Sequence, residues 1–275
     1  MSAIAPLKLR VSSWDYGRPP ARLRDYTSDG ITRVPSLQEP PCESTGLGYR
    51  RQVRNPQSFD EFAADYDRFA TLEPPTILEW LLTHLPTLRE RALDAGCGSG
   101  RHTLALADRF DQVVGVDISR PLIDIARQKR LPPNLQYCLE DLMACHGPGG
   151  FDLVFSSTTL HHLPDIESAL VHLRGLVRPA GTIVLIDNVA SRPTPPRWVH
   201  VLGALRHFPA DVRRMGWIEA RWLFVFRTSR PWLEHLASDR YLSRREFERV
   251  YGAAFPGAQF QQLGYAHGLV WRKPA

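Results

Sequence analysis

The chain has 275 residues, of which 43% are hydrophobic and 23% are charged, and its formal net charge is +5. This length suits one large α/β domain with additions, and the composition is that of a globular protein. No apolar run approaches the roughly 18 residues of a membrane helix, and residues 1–10 lack the charged start and apolar centre of a signal peptide. We therefore expect a cytoplasmic protein without a membrane span.

Cysteine and lysine usage narrow the function classes further. The four cysteines are scattered without CxxC spacing, which predicts neither a metal site nor a disulfide framework. Lys8, Lys129 and Lys273 are the only lysines, so nearly all of the positive charge is arginine. A weak basic excess does not by itself indicate nucleic-acid binding.

The first part of the chain differs from the rest. Residues 1–55 contain six prolines and no sustained apolar periodicity, which predicts a partly extended N-terminal arm. Residues 58–69 have apolar positions at helical spacing, and Ser58 with Glu61 matches a capping box at the start of a helix. A second helix is predicted after Pro74, ending near His84.

From Arg91 onwards, short apolar runs alternate with helical segments. This alternation predicts an α/β fold with a Rossmann-like, doubly wound and mostly parallel sheet that is covered on both faces. The predicted strands are 92–95, 113–116, 135–138, 151–155 and 182–186, and the predicted helices between them include 103–109, 122–129 and 166–177. Residues 259–272 contain two β-like runs with a break near Gly264, which predicts a final antiparallel hairpin.

A glycine-rich turn follows the first of these strands. Gly96, Gly98 and Gly100 form a GxGxG pattern, and glycines let a ligand approach the main chain closely. Arg101 occupies the last place of the GxGxxG pattern, so the dinucleotide fingerprint fails. Asp117 ends the second strand, where a carboxylate can accept both ribose hydroxyls. Asp141 ends the third strand and is placed to accept a hydrogen bond from an adenine amino group.

Several motifs in this order resemble class I S-adenosylmethionine-dependent methyltransferases. They are Leu-Asp-Ala-Gly-Cys-Gly-Ser-Gly at 93–100, Gly-Val-Asp-Ile-Ser at 115–119, Glu-Asp-Leu at 140–142, Phe-Asp-Leu-Val-Phe-Ser-Ser at 151–157, Leu-His-His-Leu at 160–163 and Leu-Val-Arg-Pro-Ala-Gly-Thr at 176–182. The resemblance covers about residues 58–187. It is to the branch that methylates small molecules, including enzymes of ubiquinone and menaquinone biosynthesis. A domain over residues 56–275 is the expectation.

The resemblance implies S-adenosyl-L-methionine as the cofactor, and it implies a role for each motif. The glycine turn would hold the methionine end through backbone groups of Gly96, Gly98 and their neighbours Asp94 and Cys97. Asp117 would bind the ribose and Ile118 would lie against the adenine. The remaining cofactor contacts would come from Tyr66, which closes over the cofactor, from Asp141 and Leu142 at the adenine edge, and from a backbone carbonyl at Ser156 or Ser157.

Methylation of a hydroxyl or an amine also requires the loss of a proton, so a base helps. His161 and His162 follow the fourth strand near the expected methyl position, and histidine has a suitable pKa. They are the candidate catalytic residues, and the alternative is that they shape the wall of the pocket.

Residues 188–249 form a predicted helical insertion that acts as a lid and selects the substrate. This segment holds four of the seven tryptophans and twelve arginines against six acidic residues. Aromatic and guanidinium groups suit a planar, acidic or phosphorylated acceptor. The candidates for contact with such a substrate are Arg213, Arg214 and Trp217, with Arg244 and Arg245 as further anion contacts. The alternative is that the segment is an ordinary helical layer with a solvated basic face.

The arm and the insertion are predicted to cover the pocket together. Trp14, Tyr16 and Tyr26 give the arm aromatic side chains that a solvated segment does not need. A homodimer built through the arm is the competing interpretation. The predicted activity is O- or N-methylation of a small molecule; the alternatives are an RNA or peptide methyltransferase, a non-catalytic cofactor-binding protein, and an S-adenosylmethionine enzyme of other chemistry.

Overall fold

The structure is a computed structural model that describes residues 59–129, 132–147, 149–190 and 196–275. All of these belong to the unit that spans Pro41–Ala275. The predicted N-terminal arm and the predicted cap residue Ser58 lie outside the described residues. None of the helices in the described ranges combines the length and the apolar content needed to cross a bilayer.

Seven strands form one sheet in the order β3-β2-β1-β4-β5-β7-β6. The strands are β1 (Arg91–Ala95), β2 (Gln112–Asp117), β3 (Leu135–Leu139), β4 (Phe151–Ser157), β5 (Val177–Asn188), β6 (Gln259–Leu263) and β7 (Ala266–Arg272). Strands β1 to β5 run parallel, whereas β7 is antiparallel to both β5 and β6. The mostly parallel, Rossmann-like sheet and its C-terminal antiparallel hairpin are therefore confirmed.

Helices cover the sheet and extend beyond it. They are α1 (Ala63–Leu72), α2 (Thr76–Thr83), α3 (Arg101–Ala107), α4 (Arg120–Lys129), α5 (Ile166–Leu176), α6 (Arg197–Met215), α7 (Trp217–Thr228), α8 (Arg230–Ser238) and α9 (Arg244–Ala254). The predicted insertion contains α6, α7 and α8. Helix α9 begins within the predicted boundaries of that insertion, but its side chains pack in the core beside the sheet.

The core lies on both faces of the sheet because successive strand residues point in opposite directions. In β1, Ala92 packs with side chains of α2, α3 and α4, and Leu93 packs with side chains of α5 and α9. All seven residues of β4 are buried, which explains why this central parallel strand reads as an almost continuous apolar run.

The start of α1 differs from the prediction. The helix begins at Ala63, with Phe62 at the N-cap position and no side-chain cap, so Glu61 precedes the helix and the predicted capping box is wrong. A capping box does form at Ser243 and Glu246, where the hydroxyl accepts the backbone N–H of Glu246 and the carboxylate accepts that of Ser243. The same sequence pattern thus occurs twice, and tertiary packing decides which copy starts a helix.

The strand order reverses at β1, which lies between β2 and β4. At such a switch point the loops after neighbouring strands diverge to opposite faces and leave a crevice at the carboxyl ends. The glycine-rich turn, Asp117 and the segment after β4 all lie at this edge of the sheet.

Candidate active site

A cavity of about 760 Å³ lies at the carboxyl ends of β1, β4 and β5. Three groups of residues line it: the glycine loop (residues 96–99), the histidine cluster (His161, His162 and Asp239), and an aromatic wall (Phe59, Tyr66, Phe69 and Trp232). The glycine loop comes from the sheet, whereas the aromatic wall comes from α1, the residues before it, and α8. The cavity therefore joins the carboxyl edge of the sheet to the helical insertion.

The glycine loop is held against the neighbouring strands by its own backbone. The N–H groups of Gly96 and Cys97 both donate to the Val116 carbonyl, at 2.8 and 3.0 Å. Gly96 has a φ of +79°, and a Cβ there would collide with the Thr159 side chain. A Cβ at Gly98 would meet no atom within 4 Å. The loop thus packs tightly at Gly96 and leaves open space at Gly98.

Asp117 organises the turn from β2. One carboxylate oxygen accepts the Gly98 N–H and the other accepts the Ser119 N–H, both at 2.8 Å. Burial raises the pKa of this carboxyl, while the two N–H groups oppose that shift. A carboxylate oxygen has a second lone pair, so both oxygens retain capacity for ligand hydroxyls. Ile118 follows with 74% of its surface exposed, which leaves an apolar side chain open beside the carboxylate.

The end of β3 presents a polar and an apolar group together. Asp141 caps a single 3₁₀ turn by accepting the Met143 N–H at 2.9 Å. The Leu142 side chain packs in the hydrophobic core, so only its backbone is accessible to a ligand. The exposed apolar side chain in this segment belongs to Met143. Asp141, Leu142, Asp117 and Ile118 are not among the residues that line the cavity. The predicted adenine end therefore lies beyond it, along the strand edge.

Two predicted cofactor residues point into the protein. Asp94 accepts the Thr103 hydroxyl at 2.6 Å, and burial raises its pKa to about 7. Ser156 donates its hydroxyl to the Ala95 carbonyl at 2.7 Å and is fully buried. Neither side chain lines the cavity, so both support the glycine loop from behind. The cofactor contacts predicted at both positions are through backbone groups, and they stay predictions.

Ser157 does line the cavity, and the residue after it has an unusual backbone. The Ser157 carbonyl accepts the hydroxyls of Thr158 and Thr159, at 2.8 and 3.0 Å. Thr158 has a φ of +52°, which is uncommon for a β-branched residue. Its side chain hydrogen-bonds Tyr66, whose pKa is raised to about 12 by burial and by the nearby charge of Asp117. Sequence reasoning missed Thr158; its position directly after the fourth strand was the available signal.

His161 is fixed at the far side of the cavity by a buried carboxylate. Its Nδ1 contacts Asp187 Oδ1, and Asp187 Oδ2 accepts the Tyr251 hydroxyl at 3.1 Å. Burial disfavours the charged imidazole, but the negative charge and hydrogen bond of Asp187, with Asp239, hold the His161 pKa above its ordinary value. Its Nε2 lies 4.0 Å from Asp239 Oδ2.

His162 lies beside His161 but has a different electrostatic environment. Its Nδ1 is 3.3 Å from Asp239 Oδ1. Burial, followed by the neighbouring His161 and His235, lowers the His162 pKa to about 2. Asp239 and His235 come from the end of α8 and were not identified in the sequence. Their order, His-x-x-x-Asp across the end of a helix, is too common to stand out without the fold.

The aromatic wall contacts the histidine cluster directly, since the Phe59 and His162 ring centroids lie 5.5 Å apart. The Phe59 ring centroid lies 4.5 Å from that of Tyr66 and 4.4 Å from that of His235. The Trp232 ring stacks on His235 at 5.5 Å. Large, rigid aromatic surfaces of this kind suit a planar ligand.

The predicted substrate residues lie elsewhere. Arg213 is exposed, Arg214 donates to the Leu72 carbonyl at 2.7 Å, and Trp217 is 62% exposed. None of them lines the cavity, and neither do Arg244 and Arg245. Two other arginines do: Arg101, and Arg227, which is paired with Asp211 at 3.0 Å. Sequence patterning located the basic helices but not the side that faces the sheet.

Comparisons with known proteins agree with this arrangement. Residues 93–185 match the family model described as a methyltransferase domain. The chain is 30% identical over 198 residues to an uncharacterized methyltransferase of Mycobacterium tuberculosis, a match that covers 69% of this chain and 90% of that protein. It is 33% identical over 114 residues to a ubiquinone biosynthesis O-methyltransferase of Albidiferax ferrireducens, covering 40% of this chain and 45% of that protein.

Solved structures share the fold at low sequence identity. Phosphoethanolamine N-methyltransferase 2 of Haemonchus contortus, in complex with S-adenosyl-L-methionine, matches with a TM-score of 0.57 and 15% identity over 82% of this chain and 62% of that one. A Burkholderia thailandensis 1,6-didemethyltoxoflavin-N1-methyltransferase matches with a TM-score of 0.52 and 17% identity, over 79% of this chain and 86% of that one.

The chain therefore belongs to the class I S-adenosylmethionine-dependent methyltransferases. The site fits this cofactor on its own geometry. The glycine loop leaves open space at Gly98 where a side chain would intrude, Asp117 offers two carboxylate oxygens, and Ile118 exposes an apolar surface next to them.

Proposed function

We propose that this enzyme methylates an oxygen or nitrogen atom of a small, planar molecule of biosynthetic or natural-product type. The observation that supports this proposal is the cavity, which connects the glycine loop to the histidine cluster and the aromatic wall. Its volume of about 760 Å³ lies within the range of small-molecule sites, roughly 300–1,000 Å³.

The cofactor would be held along the strand edge. The backbone of Gly96, Cys97 and Gly98 would receive its methionine end, Asp117 the ribose hydroxyls, and Ile118 and the Asp141–Leu142 backbone the adenine. Ser157 and Tyr66 would complete the enclosure on the cavity side. When bound, S-adenosylmethionine supplies an electrophilic methyl group.

The acceptor would lie in the cavity beside the aromatic wall and the histidine cluster. Phe59 and Trp232 line this space and would help to keep water from it, which a methyl transfer between two positioned atoms requires. His161 and His162 border the same space, and the cluster would assist the loss of the acceptor's proton.

The test is to identify a methylated product by mass. The enzyme is incubated with methyl-labelled S-adenosylmethionine and separate pools of phenols, heteroaromatic amines, short peptides and RNA. We expect label in a phenol or heteroaromatic amine. Label transferred only to RNA or to peptides would contradict the proposal.

Two tryptophan variants connect the product to this cavity. Trp232→Ala removes part of the aromatic wall and is expected to lower turnover about tenfold or more, with little change in cofactor affinity. Trp217→Ala, at an exposed position of the insertion, is the matched control and should keep full turnover. Equal effects of the two substitutions would show that the acceptor does not bind in this cavity.

A further inference from the structure

We propose that the histidine cluster binds a divalent transition-metal ion, such as Zn²⁺, at the acceptor end of the cavity. The inference rests on the proposed function in placing an acceptor next to the ion. Cysteine spacing predicted no metal site, and this one uses a different set of ligands: two imidazoles after β4 and a carboxylate after α8.

The ligand atoms already lie close together. One nitrogen of His161, one nitrogen of His162 and one oxygen of Asp239 all fall within 4.8 Å of one another. The His162 Nδ1 to Asp239 Oδ1 distance is 3.3 Å, and the His161 Nε2 to Asp239 Oδ2 distance is 4.0 Å. Ligands about 2.1 Å from a tetrahedral zinc ion are roughly 3.4 Å apart, so small side-chain movements would complete the site.

Two of these atoms make no hydrogen bond among the described residues, although they lie 3.3 Å from each other and His235 Nε2 lies 3.8 Å from Asp239 Oδ1. His162 Nδ1 and Asp239 Oδ1 are buried and accept or donate no hydrogen bond. The Asp239 side chain is only 1% exposed. A buried carboxylate oxygen without a hydrogen bond is costly unless a positive charge meets it. A cation between Asp239 and His162 would satisfy both atoms at once.

His161 is oriented as a metal ligand would be. Its Nδ1 contacts Asp187, which in turn accepts the Tyr251 hydroxyl. A carboxylate on one ring nitrogen fixes the tautomer and leaves the other nitrogen's lone pair for a metal. The other nitrogen, Nε2, is the one that faces Asp239.

The chemistry of the ligands selects the type of ion. Imidazole favours zinc and neighbouring transition metals, whereas Mg²⁺ and Ca²⁺ prefer oxygen ligands. Three protein ligands leave a tetrahedral ion one open position, and all three residues line the cavity. An acceptor hydroxyl in that position would lose its proton to water more readily, and its oxygen would then be the methyl acceptor.

Metal binding is measured directly on the full chain. The protein is stripped with a chelator, dialysed, and titrated by calorimetry with ZnCl₂ and separately with MgCl₂. We expect one equivalent of Zn²⁺ with sub-micromolar affinity and at least a hundredfold weaker binding of Mg²⁺. Absorption of a Co²⁺-substituted sample in the visible range should show tetrahedral coordination.

Variants assign the site. Asp239→Asn and His162→Gln should each weaken Zn²⁺ binding more than tenfold, and His207→Gln, at an exposed position of α6, should not. Thermal unfolding and S-adenosylmethionine binding identify folded variants, and His161→Gln replaces any variant that does not fold. Zinc binding that is absent, or that is the same in all variants, would overturn the proposal.

The metal site and the proposed activity can fail separately. If the chelated, metal-free protein still methylates a small molecule at the full rate, the ion has no role and the activity stands. If the variants abolish stoichiometric zinc binding but no small molecule is methylated, the site stands and the proposed function is wrong.

Discussion

At the residue scale, the Asp117 carboxylate has two roles. It holds the Gly98 and Ser119 N–H groups and is the proposed ribose ligand. Replacing it with alanine is expected to weaken S-adenosylmethionine binding by about 1–3 kcal/mol, because charged hydrogen bonds are lost and backbone donors are left unmet. Calorimetry of the folded variant measures the change.

The control for Asp117 removes a carboxylate from the same region of the chain. Asp124 is exposed on α4, and Asp124→Ala should leave cofactor affinity unchanged. An Asp117→Ala variant that binds the cofactor as tightly as this control would show that the carboxylate does not contact it.

Asp94 makes stability depend on pH. Burial raises its pKa from 3.8 to about 7, so between about pH 4 and 7 the folded protein keeps a proton that the unfolded chain releases. The contribution of protonated Asp94 to the free energy of unfolding is therefore fully present at low pH and is lost as the pH rises through 7.

An asparagine at position 94 has no such proton to lose. We expect the free energy of unfolding of the wild-type protein to fall between pH 5 and pH 8 relative to that of Asp94→Asn, by on the order of a few kcal/mol. Urea unfolding at both pH values gives the difference. Parallel curves for the two proteins would show that Asp94 ionises normally in the folded state.

At the element scale, the C-terminal hairpin packs against α2 through a glycine. A Cβ at Gly268 in β7 would come within 2.6 Å of the Trp80 ring. That ring is buried and is fixed by a hydrogen bond from Nε1 to Gln261 at 2.8 Å. Gly268→Ala should therefore cost about 1–3 kcal/mol of stability through overpacking.

Gly252 in α9 provides the comparison. A Cβ there would lie 3.6 Å from Phe260, an ordinary contact, and alanine favours a helix by up to about 1 kcal/mol over glycine. Thermal unfolding should show a loss for Gly268→Ala and none for Gly252→Ala. Equal stabilities would mean that α2 adjusts to the added methyl group without cost.

At the scale of the whole molecule, the open question is what covers the strand edge. The insertion contributes Trp232 to the aromatic wall, and an ion pair between Arg68 and Glu219 at 2.8 Å links α1 to α7. The predicted contribution of residues 1–55 stays a prediction, because these residues lie outside the described ranges.

Deleting residues 1–45 tests this prediction. We expect the truncated protein to bind S-adenosylmethionine with unchanged affinity but to turn over more slowly, because methyl transfer requires water to be excluded. A shorter deletion, of residues 1–12, keeps Trp14, Tyr16 and Tyr26 and serves as the control. Full activity of the longer deletion as a monomer would contradict a covering role, and loss of dimerisation alone would favour an assembly role.

The sequence by itself determined the sheet, the glycine loop and the cofactor class. Local patterns carry this information: a buried parallel strand is a short apolar run, a loop that approaches a ligand needs glycine at Gly98, and Asp117 follows its strand directly. These features depend on neighbours within a few residues, so their order along the chain predicts their order in space.

Only the tertiary structure decided which side chains meet in the cavity. Asp187, Asp239 and Trp232 come from distant segments and join His161 and His162 because β5 and α8 end at the same edge. Whether Arg227 or Arg213 lines the cavity depends on how α7 and α6 pack, since both helices carry apolar and basic residues. Contacts between distant segments are set by packing, and no local pattern in a single sequence specifies them.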